Sequence, residues 1–173
     1  MTTQIKPIKR SPSLIPLSRE HHEVLLLAWK IREGLRKQIS IERIVDYCCW
    51  FFDHHMEQHL KLEEVQFAKI IDVSNPMYMT MISDHNDIRR MIRDFTQKKI
   101  SEMHLEQFAD LITDHVRFEE RQLYNLIEKV ANADQLDVLR NVMHPVSSVS
   151  TKVIHDVSTE YTDTFWLRDI MKT

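Results

Sequence analysis

Residues 59–64 read His-Leu-Lys-Leu-Glu-Glu and residues 115–120 read His-Val-Arg-Phe-Glu-Glu, so the pattern H-x-x-x-E-E occurs twice in this chain. Side chains four residues apart lie one above the other on a helix. Each copy therefore places one imidazole and one carboxylate on a single helix face: His59 with Glu63, and His115 with Glu119. Apolar neighbours on the same faces predict that both pairs point into a core.

The sequence around the two copies predicts four long amphipathic helices joined by short loops. Their expected ranges are Ser18, as N-cap, to about Arg36; 41–71, capped by Ser40; about Met77 to Lys98; and about 102–131, capped by Ser101. Helices of this length with short connections favour an all-α, antiparallel up-down-up-down four-helix bundle.

The two ends of the chain differ from this central region. Residues 1–16 contain three of the five prolines, which predicts an extended N-terminal lead-in before a bundle over 17–132. Residues 133–173 are expected to form a short C-terminal helical extension and tail, with a short helix at 134–143 and weak helical periodicity at 146–160. The aromatic residues around Phe165 and Trp166 are expected to dock on the bundle.

Composition excludes several classes of protein. With a single glycine, the chain lacks the Gly-rich loops of phosphate and dinucleotide sites. A net charge of −3 indicates no nucleic-acid surface, and no apolar run is long enough for a membrane span. The absence of an apolar signal segment, together with the adjacent Cys48 and Cys49, predicts a reduced, cytoplasmic protein.

Each H-x-x-x-E-E copy follows a helix that carries an acid-then-histidine pair, Glu20-His21 in the first helix and Asp84-His85 in the third. The chain thus consists of two similar helix pairs, and folding them together about a pseudo-twofold axis would bring four imidazoles and two carboxylates inside. This donor set suits iron, and two carboxylates can bridge a pair of ions. Unpartnered buried carboxylates would cost several kcal/mol each, which a metal would offset.

Several assignments stay open at this point. His22 competes with His21, although the apolar spacing of the first helix favours His21. His55, four residues before His59, is expected near the site without binding metal. Cys48 is expected to be a buried small residue, with a vicinal redox pair as the alternative. The remaining histidines are expected at the surface or in the tail: His54, His104, His144 and His155.

The charged neighbours of the candidate ligands also have two interpretations. Glu64 and Glu120 are expected to contact the ligands or to be solvated, and the same alternatives hold for Glu20 and Asp84. Arg89 would either attract an anionic ligand or pair with Glu120, or extend to the rim of the bundle, which is the simpler expectation.

These motifs resemble the hemerythrin-like family with an HHE cation-binding domain. The similarity covers roughly 14–130 and is carried by LSREHHEVL at 17–25, HLKLEEVQF at 59–67, SDHNDIRRMI at 83–92 and HVRFEERQL at 115–123. It implies a four-helix bundle with an oxo- or hydroxo-bridged pair of iron ions, zinc or manganese being alternatives. The implied ligands are His21, His59, Glu63, His85, His115 and Glu119.

The chain departs from the oxygen-carrying hemerythrins at two positions. These carriers have a second histidine four residues after the one on the third helix, where this chain has Arg89. They also place an aspartate five after the last histidine, where this chain has Glu120, while the internal repeat favours Glu119. Counting donors leaves two coordination positions open on a pair of six-coordinate irons. The hypothesis is a more open centre that reacts with its ligand rather than carrying oxygen reversibly.

The resemblance implies a non-haem di-iron protein that binds or senses oxygen, nitric oxide or iron, with no nucleic-acid or membrane partner and a homodimer possible. One alternative is an oxidoreductase that handles peroxide or nitric oxide or repairs iron–sulfur clusters. Another is an interaction module with a structural or empty metal site, whose working part is the tail around Trp166.

Overall fold

A computed structural model describes residues 10–143, 161 and 163–167, and in this part of the chain all regular structure is helical, without strands. The helices are α1 (Ile15–Arg36), α2 (Ile41–Phe51), α3 (Glu57–Phe67), α4 (Pro76–Gln97), α5 (Glu102–Phe118), α6 (Tyr124–Val130) and α7 (Ala133–Met143). The all-α prediction is thereby confirmed. None of the described helices has the length and apolar content needed to cross a lipid bilayer.

Two short π-helical segments make long continuous helices out of shorter ones. Phe52–Met56 joins α2 to α3, and Glu119–Leu123 joins α5 to α6, in both cases without an intervening turn. A π-helical segment inserts an extra residue into the turn and thereby shifts which side chains face the core. The second segment begins at one of the candidate ligands.

The helix ends agree with the sequence analysis except at two positions. α1 begins at Ile15 rather than after Ser18, because Pro16 lies in the first turn, where a proline sacrifices no intrahelical hydrogen bond. The predicted 41–71 helix ends at Phe67, after which the chain continues in turns. Asn75 caps α4 by accepting a 2.9 Å hydrogen bond from the Met77 backbone N–H.

Contacts between neighbouring helices pair rising residue numbers on one helix with falling residue numbers on the other. Between α1 and the continuous helix formed by α5 and the π-helical segment after it, His21 lies against Glu120 while Arg32 lies against Asp110. The other neighbouring pairs follow the same order: Glu20–His59 and Lys30–Tyr47, Glu57–Arg89 and Glu64–His85, Asp84–His115 and Phe95–Phe108.

The core consists of two apolar clusters separated by a polar layer. One cluster includes Val24, Leu60, Ile88 and Val116, and the other includes Leu17, Phe67, Met81 and Leu123. On every long helix the buried histidine or glutamate lies between a residue of the first cluster and a residue of the second. The fold therefore places the polar side chains of four helices at one level.

The C-terminal residues that the structure describes pack onto α1 and α2, as predicted. Phe165 and Trp166 are buried against Tyr47, and a Cβ added at Gly34 would lie 2.8 Å from the Phe165 ring. Arg43 pairs with Asp163 beside them. The weakly periodic stretch at 146–160 lies outside the described residues.

Candidate metal centre

All six candidate ligands meet in the polar layer, and each is at least 95% buried. Their ligand-type atoms form two groups that share both glutamates. One group contains His21 and His59 with Glu63 and Glu119, and the other contains His85 and His115 with the same two glutamates. Within each group the atoms lie within 4.8 Å of one another. The structure thus brings together every residue that the repeat and the family resemblance selected.

The distances between these atoms match those of ligands around a common ion. His21 Nε2 lies 3.0 Å from Glu119 Oε2, and His59 Nε2 lies 3.3 Å from Glu63 Oε2. The remaining close pairs are His115–Glu119 at 3.3 Å, His85–Glu63 at 3.5 Å and His85–Glu119 at 3.7 Å. Two adjacent donors, each about 2.1 Å from one ion, would be separated by roughly 3 Å.

Many of these buried atoms have no hydrogen-bond partner among the described residues. They are Nε2 of His59, His85 and His115, Oε2 of Glu63, and both carboxylate oxygens of Glu119. Nearly all buried polar atoms in folded proteins are hydrogen-bonded, so a cluster of exceptions needs an explanation. Imidazole nitrogens and carboxylate oxygens are metal ligands, and a metal would satisfy all of them. The residues present therefore fit a bound cation.

Burial and the opposite charges of the layer shift the pKa values of its side chains in opposite directions. Burial alone would lower the pKa of His21, but Glu119 and Glu120 raise it to about 10. Burial likewise opposes charge on His85, whose carboxylate neighbours raise its pKa to about 11. Burial would raise the pKa of Glu119, yet His115 and the other histidines hold it well below its usual range. The buried carboxylates thus favour positive charge in the layer, and binding of a metal would displace protons from His21 and His85.

A carboxylate lies behind each of the four histidines, on the side away from the shared glutamates. Three of the contacts at Nδ1 are hydrogen bonds: His21–Glu120 at 2.8 Å, His59–Glu20 at 2.6 Å and His85–Glu64 at 2.8 Å. The Asp84 carboxylate lies 3.5 Å from His115 Nδ1, which has no hydrogen-bond partner among the described residues. A carboxylate that accepts from Nδ1–H holds the ring in place and leaves Nε2 to face the metal. Of the two interpretations of these acids, the structure favours contact with the ligands over full solvation.

Two arginines hold two of these carboxylates. Arg89 donates to Glu64 at 2.7 Å and to Glu57 at 2.8 Å. Arg10 donates through Nε to Glu120 at 2.9 Å and is almost fully buried. The suggested pairing of Arg89 with Glu120 is therefore wrong, because Arg10, in the segment before α1, pairs with Glu120 instead.

The other histidines that the structure describes, and both cysteines, are not members of the two groups of ligand-type atoms. His22 is exposed, which places His21 rather than its neighbour in the layer. His55 contacts the rings of Trp50 and Phe51. Burial raises the pKa of the Cys49 thiol to about 11, which disfavours a redox pair with buried Cys48. His144 and His155 lie outside the described residues.

Sequence reasoning missed two residues at the centre. Tyr124 is fully buried, its ring stacks on His21, and its hydroxyl donates to Glu63 Oε1 at 2.6 Å. Its counterpart in the internal repeat is Ala68, so the repeat did not indicate it. Arg10 lies in the predicted lead-in, where no helical spacing relates it to the layer. The only sequence signal for Tyr124 was an aromatic residue five positions after Glu119.

Comparison with known proteins agrees with this geometry. The sequence model described as Hemerythrin HHE cation binding domain matches residues 16–127, which include every residue of the polar layer. Neither the curated proteins nor the solved structures contained a match to the chain.

Proposed function

Since the chain belongs to the hemerythrin HHE cation-binding domain family, we propose that it holds a dinuclear iron centre that binds or senses oxygen or nitric oxide. A single observation carries the proposal: two groups of buried imidazoles share two carboxylates, and three of the four carboxylate oxygens lack a hydrogen-bond partner among the described residues. A solvated or purely structural cluster would not bury that many unpartnered polar atoms.

The proposed ligands are the six residues of the layer. One ion would be held by His21 and His59, the other by His85 and His115, and Glu63 and Glu119 would bridge them. Mixed imidazole and carboxylate donors suit iron, with zinc or manganese as alternatives. When bound, the ions would supply the ligand-binding and redox chemistry.

The chain's own residues would orient the ligands and keep water away. Carboxylates at Nδ1 hold three of the four imidazole rings, and the arginines on Glu64 and Glu120 hold two of those carboxylates. Apolar side chains border the histidines on one side: Val24, Met56, Leu60, Ile88 and Val116. Small uncharged molecules such as oxygen or nitric oxide suit such a wall better than polar substrates do.

We also propose that the helices form the up-down-up-down four-helix arrangement expected for this family. It is supported by the contacts between neighbouring helices, which pair rising residue numbers on one helix with falling numbers on the next.

We also propose that the protein leaves more coordination positions of the metal ions open than the oxygen-carrying hemerythrins do. Their additional histidine would correspond to Arg89, whose guanidinium is engaged by Glu57 and Glu64. With fewer protein ligands, we expect the reduced centre to react with oxygen or nitric oxide rather than to store oxygen. A stable oxygen adduct that autoxidises slowly would contradict this part of the proposal.

The test is metal reconstitution of the full-length chain. After chelation and loading with ferrous iron, we expect about two irons per chain by elemental analysis, and near-ultraviolet bands of a bridged ferric pair after exposure to air. His59→Ala and Glu119→Ala should lose iron, whereas His54→Ala should retain it, because His54 is exposed and bonds to the Trp50 carbonyl. Equal iron content in all three variants would remove the assignment.

A further inference from the structure

We propose that Tyr124 is a seventh protein ligand, binding through its phenolate oxygen the same ion as His21 and His59. This inference rests on the proposed function, because it requires a metal in the polar layer. It makes the two ions chemically different, although the histidines and glutamates that hold them are related by the internal repeat.

The position of the hydroxyl carries the proposal. Tyr124 Oη lies 2.6 Å from Glu63 Oε1 and 3.2 Å from His21 Nε2, both of them candidate ligand atoms. The second distance is that expected for two adjacent donors on one ion, roughly 3 Å. It is also within the range found between the imidazoles and glutamates of the layer. The phenol oxygen is therefore a member of the donor cluster and not a neighbour of it.

The other three tyrosines of the chain have different partners. Tyr47 accepts a hydrogen bond from Lys30, and Tyr78 donates to the backbone carbonyl of Glu64. Tyr161 packs on the rings of Tyr47 and Trp50, in the apolar cluster on one side of the layer. Only Tyr124 has its hydroxyl within hydrogen-bond distance of candidate ligand atoms, so a tyrosine–iron signal from a single chain would identify it.

Loss of the phenol proton would depend on the bound metal, because burial and the carboxylates of Glu63 and Glu119 raise the pKa of Tyr124. The guanidinium carbon of Arg10 lies 5.2 Å from the ring centroid, which places a positive charge over the ring. The π-helical segment Glu119–Leu123 precedes Tyr124 directly, and its extra residue turns the ring toward the layer. In the equivalent place of the other half, Ala68 follows α3 and has no donor atom.

When Tyr124 binds the metal, its phenol oxygen exchanges a proton for the metal ion. The O–H bond of the phenol breaks, a bond from the phenolate oxygen to the metal forms, and the proton leaves to solvent. No oxidant or reductant is required, and the oxidation state of the metal does not change. A bound cation favours the deprotonated form of its ligands, which overrides the effect of the nearby carboxylates.

The experiment uses full-length protein that is freed of metal, loaded with ferrous iron alone and then oxidised in air. Ferric iron bound to phenolate gives a visible charge-transfer band and enhanced tyrosinate vibrations in resonance Raman spectra, which oxo-bridged ferric pairs without phenolate lack. We expect both signals in the wild-type protein. Tyr124→Phe should lose both and retain its iron, since the other six ligands remain.

Tyr78→Phe is the matched control, because it removes another buried hydroxyl near the layer that does not contact a ligand atom; it should retain both signals. If the wild-type protein binds iron without a tyrosinate signal, this inference is overturned and the proposed function stands. An unchanged spectrum in the Tyr124→Phe variant would have the same consequence. Failure of the wild-type chain to bind iron would overturn both. The wild-type Raman spectrum decides the question even if a variant does not fold.

Discussion

Two regions of this molecule bury charged groups, and they do so in opposite ways. In the polar layer, the side chains of Glu63 and Glu119 are fully buried, and Glu63 Oε2 and both oxygens of Glu119 lack hydrogen-bond partners among the described residues. In the aromatic cluster, formed by Tyr47, Trp50, Tyr161, Phe165 and Trp166, the buried amine of Lys30 donates to the Tyr47 hydroxyl at 2.7 Å. It also lies 4.0 Å from the Trp166 ring centroid.

This difference distinguishes a charge that is buried for structural reasons from charges that are buried at a functional site. Lys30 is accommodated by groups that the chain itself provides, a hydroxyl and two aromatic faces, so nothing further is needed to complete its surroundings. The polar layer is incomplete without an added cation. Burial of a charged group by itself therefore indicates little about function, whereas burial without partners is a strong indication.

Removal of the metal should have the largest effect among the tests of this contrast, and the quantity that changes is the free energy of unfolding. Chelation should lower the free energy of unfolding by about 4 kcal/mol relative to protein in free metal at about a thousand times its Kd, because only the folded state assembles the layer. Urea unfolding with and without chelator measures it. His59→Ala should show little response to chelator, and a wild-type protein that is equally stable in both conditions would mean that the layer needs no metal.

Phe165→Ala should have the next largest effect, confined to the aromatic cluster. Removing this fully buried ring leaves a cavity beside Gly34 and should lower the free energy of unfolding by roughly 3 kcal/mol. Iron content, measured on the folded variant, should not change. Loss of iron in this variant would show that the two regions are coupled and would break the comparison.

Glu120→Gln should weaken metal binding without removing it. The amide keeps the size of the side chain, but it accepts less strongly from His21 Nδ1 and loses the charge that Arg10 neutralises. Replacing such a group typically lowers metal affinity roughly 10–100-fold. Competition with a coloured chelator measures this change. Glu106→Gln, at an exposed position beside Arg32, is the control and should bind as the wild type does.

The smallest expected effect is a pH dependence that originates at Lys30. Burial lowers its pKa to about 8 from 10.5, so between these values the unfolded chain holds a proton that the folded protein has released. Stability conferred by this site therefore rises with pH across that window.

The measurement is the difference in the free energy of unfolding between wild type and Lys30→Met across pH 8 to 10.5. The subtraction removes the titration of other groups. A difference that does not change with pH would show that the aromatic faces stabilise the ammonium enough to cancel the effect of burial.

Much of the candidate metal centre could be predicted because its main ligands come in pairs that are close together in the sequence. His59 with Glu63, and His115 with Glu119, are four residues apart, and a helix alone puts them on one face. The all-α fold, the helix ranges to within a few residues and the buried position of Cys48 follow from periodicity and from the scarcity of glycine and proline. The docking of Phe165 was also expected from its apolar character.

The contacts that cross between helices could not be predicted in this way. Arg10 on Glu120, Arg89 on Glu57 and Glu64, and the Tyr124 hydroxyl on Glu63 join residues that no helical spacing relates. The π-helical segment before Tyr124 adds to the difficulty, since one extra residue rotates every later side chain by about 100° relative to a regular helix.

The amino-acid sequence by itself determined which residue types are available and which face of each helix carries them, because the repeat of an α-helix depends only on nearby residues. The tertiary structure alone decided which carboxylate lies behind which histidine, which arginine neutralises it, and which tyrosine reaches the shared glutamates. Those choices depend on the rotation and axial position of each helix against its neighbours, and these are set by packing of the whole core.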